Sequence, residues 1–142
     1  MTPPPDASSF ADESALALVG ATGFAECTVG HGDTAMAMGS GDLPVLATPA
    51  MIALMEAAAC QALAGHLPSD RTSVGSHVDV RHLAPSALGA HVTASARIVE
   101  IRGTRVFFEV SATHGTGADA TEIGRGAHVR VVVARDRFAA GR

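Results

Sequence analysis

Glu56 is the only charge in a greasy run, TPAMIALMEAAACQALAGH, that extends from Thr48 to His66. Charged residues are rarely buried without a purpose, and a carboxylate in apolar surroundings is a candidate for nucleophilic or general-base work. It could attack a carbonyl to give an acyl-enzyme anhydride, or deprotonate a water. A structural glutamate held by backbone or arginine is the plainer alternative. Downstream, Val78, Val80 and His82 share one face of an alternating segment, with His77, Asp79 and Arg81 on the other. If the valines face the greasy run, His82 faces it too and can move protons for Glu56. Thr48 stands at the start of the run, where its hydroxyl either caps the first turn or does more. Gly75 opens the segment that carries His82, so a backbone amide there can approach a ligand closely.

These residues need elements to position them. Thr48 is expected to act as N-cap, Pro49 suits the first helical position, and Gly65 is a natural left-handed stop. The helix between them is roughly 25 Å long and apolar all round, which predicts burial on every side. On an ideal helix Thr48 and Glu56 lie about 80° apart around the axis and roughly 12 Å apart along it. Either the first turn is distorted, or Thr48 meets the Glu56–His82 pair of a second subunit.

Strands are expected from Phe24 to Val29, Val74 to Leu83, His91 to Arg102, Arg105 to His114 and Glu122 to Val133. A bulge near Ile98 accounts for a slip in apolar phase, and Arg102-Gly103-Thr104 makes a tight hairpin. In the last strand Ile123, Ala127, Val129, Val131 and Val133 are expected inward. His128 and Arg130 then read as surface or interface residues. Three successive strands form a meander whose apolar face needs a cover, and only the helix is greasy enough. The fold class is α+β, a curved antiparallel sheet wrapped around one central helix.

The 142 residues fit one domain, with 1–20 as a polar, proline-bearing flexible tail and 21–142 as the folded part. Hydrophobic content of 47% suits a compact core, and a net charge of −4 excludes a general basic footprint for nucleic acid. Cys27 and Cys60 read as reduced, Cys60 within the buried helix. The N-terminal residues lack the pattern of a signal peptide, the apolar run is too short for a membrane span, and a cytoplasmic location is expected. No HxxxH or CxxC spacing indicates a metal, GxSxG is absent, and IGRG does not open a helix as a phosphate loop would.

GSGDLPVLATPAMIALME, VGSHVDVRHLAPSALG and EIGRGAHVRVVV resemble the hot-dog-fold acyl-CoA thioesterases, in particular the fluoroacetyl-CoA thioesterase-like family. The resemblance covers residues 24 to 138. It implies Thr48, Glu56 and His82 as catalytic residues, and Gly75 as the glycine whose amide contacts the thioester. It also implies hydrolysis without cofactor or metal, coenzyme A entering only as part of the substrate, and a homodimer or higher homo-oligomer. The family's fluoroacetyl-specific enzyme has phenylalanines just before its threonine, whereas Gly39-Ser40-Gly41-Asp42-Leu43 here has no aromatic. That departure argues against fluoroacetate as the substrate and leaves the general hydrolase chemistry in place. Arg71, Arg81, Arg102 and Arg105 are candidates for the phosphates of coenzyme A, or simple solvated charges. The rival readings are a hot-dog enoyl-CoA hydratase or dehydratase, and a non-catalytic acyl-CoA-binding module.

Overall fold

The computed structural model describes residues 13–139. A single helical turn, α1 (Glu13–Leu16), leads into strand β1 (Thr22–Thr28); a 3-10 turn and a short helix, α2 (Ala35–Met38), follow. The long helix is α3 (Thr48–Leu63), after which come β2 (Arg71–His82), β3 (His91–Arg102), β4 (Arg105–His114), β5 (Thr121–Ala134) and the terminal turn α4 (Arg135–Ala139). The expected tail is described only from Glu13 onward. There Ala15 is buried and the Gly20 amide bonds to the Ile98 carbonyl.

The five strands form one antiparallel sheet in the order β1-β3-β4-β5-β2. The meander of β3, β4 and β5 is as expected, and β2 crosses over to pair with β5 at the far edge. α3 lies in the curve of this sheet, mainly over β1 and β3. Met51, Met55, Ala58, Ala59, Ala62 and Leu63 bury against Val92, Ala94, Ala96, Ile98, Val106, Phe108 and Ile123. Alanines let the helix come close: a Cβ on Gly23 of β1 would stand 2.2 Å from the Ala58 carbonyl oxygen. The expected bulge is present where the β3–β4 register shifts between Ile98 and Glu100.

Three expectations are corrected. α3 is not buried all round, because Ala53, Ala57, Cys60 and Gln61 are exposed along one strip. A run of alanines has no polar stripe to mark which side faces out. Thr48 is not the N-cap: Ala47 holds that position, Thr48 is the first helical residue, and its hydroxyl is left for other partners. Gly65 does adopt the left-handed conformation just beyond the helix, at φ +79°.

The third correction concerns β5. Its pairing with β4 shifts between Ala112 and Thr113, leaving Ile123 as an extra residue. Ile123 and Gly124 are consequently both buried, and every later side chain is on the face opposite to that expected. His128, Arg130 and Val132 point inward, while Val129, Val131 and Val133 lie half-buried on the outer face.

Candidate active site

Two groups of polar side chains stand at the boundary between α3 and the β5–β2 side of the sheet. The first lies at the start of the helix. Thr48 Oγ1 is 2.8 Å from Nδ1 of His82, the last residue of β2. His82 Nε2 is buried and has no hydrogen-bond partner among the described residues. Burial pushes the His82 pKa below its ordinary value of 6.5, and the Ala84 backbone partly opposes the shift without a well-directed bond to Nε2. A neutral imidazole accepting the threonine proton at Nδ1 is a ready base for that hydroxyl.

The second group surrounds Glu56, two turns further along α3. Its side chain is 38% exposed, so the acid is at the edge of the core rather than sunk within it. Arg130 Nη1 donates to Glu56 Oε2 at 3.2 Å, and His128 Nε2 lies 3.9 Å from the same oxygen. Within one chain, therefore, Glu56 does not meet His82; the imidazole beside it is His128. The reason is geometric. His82 closes β2 near the helix N-terminus, and β2 gains an extra residue at Ser76, where its pairing with β5 shifts between Gly75 and His77.

Gly75 falls directly against Glu56. A Cβ at this position would stand 2.5 Å from Glu56 Oε2 and 3.3 Å from His128 Cε1. The expected residues thus separate into a Thr48–His82 pair and a Glu56–Gly75 pair. His128 and Arg130, taken from sequence as surface or interface residues, are buried to 1% and 7% exposure beside the second pair. The signal that could have found them is their place in a central strand, bordered on both sides, where an inward arginine must answer an acid.

His128 donates from Nδ1 to the His77 carbonyl at 2.8 Å and stacks on Phe108, ring centroids 6.0 Å apart. Burial pushes its pKa below 6.5; the His77 carbonyl opposes this and the Arg130 guanidinium adds to it. Of the arginines considered for phosphates, Arg71 pairs with Asp70 and Arg102 with Glu100. Cys27 is half-buried and free; Cys60, expected in the core, is free and exposed. Among the described residues no group of three or more side chains could hold a metal, and no helix is long and apolar enough to cross a membrane.

The family model of the fluoroacetyl-CoA-specific thioesterase matches residues 29–136. The chain belongs to that family. A fluoroacetyl-CoA thioesterase of Streptantibioticus cattleyicolor is 36% identical over 94 residues, which span 66% of this chain and 65%, just under two thirds, of that protein. A threonine-to-serine variant of the fluoroacetyl-CoA enzyme, solved with acetyl-CoA, superposes with a TM-score of 0.79 at 29% identity, covering 87% of this chain and 94% of that one. A hot-dog-like protein from Thermanaerovibrio acidaminovorans gives a TM-score of 0.75 at 28% identity, with 87% and 88% covered. The fold is accordingly the hot-dog fold of this family's solved members, an antiparallel sheet curled around a helix.

Proposed function

We propose that this protein is an acyl-CoA thioesterase, hydrolysing an acyl-CoA to the free acid and coenzyme A. Thr48, Glu56 and His82 do the chemistry, with Gly75 at the thioester. The observation that carries the reading is Glu56 itself: a half-exposed carboxylate in an otherwise apolar helix, one oxygen tied to Arg130 and the other with no hydrogen bond among the described residues. Glu56 deprotonates a water that attacks the thioester carbonyl, or attacks the carbonyl itself to give an anhydride that water then hydrolyses to the free acid. In either route the C–S bond breaks and the leaving thiolate takes up the proton that the water gives up. The Thr48–His82 pair moves a proton or donates to the substrate. Coenzyme A is part of the substrate, and neither cofactor nor metal is required.

The working unit in this proposal is a homodimer. Thr48–His82 and Glu56 are separated by roughly 12 Å along one helix, so a single chain offers two half-sites. β2 is a twelve-residue edge strand, exposed from Gly75 to Asp79, beside the exposed strip of α3. An uncovered edge of this length favours pairing with a second copy. Glu56 of the partner subunit then joins Thr48 and His82. The free thiols fit a reducing, cytoplasmic setting. The acyl group is short to modest and not restricted to fluoroacetyl, because residues 39–43 supply no aromatic lid.

The test is thiol release from a panel of acyl-CoAs, with wild type beside Glu56→Gln and His82→Ala. Both variants are expected to remain folded and lose on the order of 100-fold or more in kcat. Binding without turnover in the wild type would leave an acyl-CoA-binding module, and hydration of an enoyl-CoA would leave a hydratase.

A further inference from the structure

Ser86 lies in the link between β2 and β3, four residues beyond His82, and is only 1% exposed. A buried hydroxyl is costly unless a partner answers it. The partner is His114, the last residue of β4, whose Nδ1 stands 2.7 Å from Ser86 Oγ. A hydroxyl both donates and accepts, so the bond holds whichever ring nitrogen carries the proton. Neither residue touches Thr48 or Glu56 through a hydrogen bond, and the hydrolysis proposed for this chain leaves both without a task.

The main chain of Ser86 supplies that task. Its carbonyl accepts from the Leu46 amide at 2.8 Å, and Val45 bridges Ala87 alongside. Leu46 is buried two residues ahead of Thr48. The lead-in to α3 and the exit from β2 therefore cross at Ser86. One segment delivers Thr48 and the other His82, and their side chains meet at 2.8 Å. Just past His82, the Leu83 amide bonds to the Ile123 carbonyl and fixes the exit to β5. The Ser86–His114 bond fixes the crossing itself to β4, a strand paired on both sides by β3 and β5.

We propose that Ser86 and His114 are positioning residues for the Thr48–His82 pair: the bond between them anchors to β4 the crossing from which both side chains are hung. This rests on the reading of Thr48 and His82 as acting in the reaction. A hydrogen bond between side chains on separate segments lasts only while their backbones keep their spacing. Loss of the anchor lets that spacing drift, and a misplacement of about 1 Å can cost on the order of 100-fold in rate.

The experiment compares steady-state acetyl-CoA hydrolysis by wild type, Ser86→Ala, His114→Ala, His114→Asn and Thr48→Ala. Both alanine changes at the clamp are also placed behind Thr48→Ala, at enzyme concentrations that make its residual rate measurable. Ser86→Ala and His114→Ala are each expected to lose about tenfold in kcat, with KM within about threefold of wild type. His114→Asn sets an amide near the place of Nδ1 and is expected to return kcat to within about threefold of wild type. Behind Thr48→Ala, the same alanine changes are expected to lower the residual kcat by less than about twofold, because the contact they support is already gone. His114 is half-buried, so His114→Ala breaks the bond from its more open side and keeps the test decisive if Ser86→Ala does not fold. Wild-type kcat in the alanine variants overturns the positioning role alone. So does an equal loss with and without Thr48, which marks the clamp as structural. Wild-type turnover in Thr48→Ala removes the reading of Thr48 and this proposal with it.

Discussion

At Gly75 the proposed site depends on a hydrogen standing where other residues carry a Cβ. The nearest atom to an added Cβ is the tip of the Glu56 side chain, which can swing away at little cost to the fold. Gly75→Ala is therefore expected to change stability by less than about 1 kcal/mol. It displaces the carboxylate from Arg130, so kcat should fall by about tenfold or more. Thermal melts beside thiol-release assays separate the two effects, and an unchanged kcat would take Gly75 out of the site. The histidines give a second residue-scale prediction. Burial lowers both His82 and His128 below 6.5, so the unfolded chain binds protons that the folded one refuses. Stability is full above the unfolded value of about 6.5 and is lost as pH falls below it. Melting temperature should drop steadily between about pH 7 and pH 5, and His82→Asn should flatten part of that slope.

At the scale of elements, the helix-in-sheet arrangement was legible because apolar content, caps and alternation agreed. The Thr48–Leu63 helix, the Arg102–Arg105 hairpin and the bulge at Ile98 all came from local chemistry that a single segment carries. The phase of β5 did not, because its bulge at Ile123 depends on how β4 pairs with it, and no residue within EIGRGAHV announces one. That slip decided whether His128 and Arg130 faced outward or lay buried beside Glu56. The outward strip of α3 was hidden for a related reason: alanine sits equally well against a neighbour or against water. The same alanines impose a strict limit where α3 meets β1. Beyond the clash with Ala58, an added Cβ at Gly23 would stand 2.4 Å from the Ala62 nitrogen, and both atoms are helix backbone. Gly23→Ala cannot be absorbed by a rotamer change and should cost about 1–3 kcal/mol by overpacking. Urea denaturation reads this directly, and a cost below about 0.5 kcal/mol would mean that the helix can slide.

At the scale of the whole molecule, the proposed mechanism needs a second copy to bring its two half-sites together. Thr48 and His82 share a hydrogen bond, Glu56 bonds to Arg130 two turns further along α3, and β2 offers an edge with no strand beyond it among the described residues. A two-fold interface along this edge would repeat every contact and build two identical sites, each drawing Thr48 and His82 from one chain and Glu56 from the other. Mixing two inactive variants tests this. In a Glu56→Gln and His82→Ala heterodimer one site carries both defects and the other carries none. Equal mixing and re-equilibration should then restore about a quarter of wild-type activity, since about half of the dimers are mixed and each has one intact site. If both groups act within their own chain, every site in the mixture keeps a defect and nothing returns. Charge placed on the edge, as in Val78→Asp, should separate the copies in size-exclusion measurements and remove activity together with assembly. A separated chain that still hydrolyses acyl-CoA at the wild-type rate would place the complete site in one protomer.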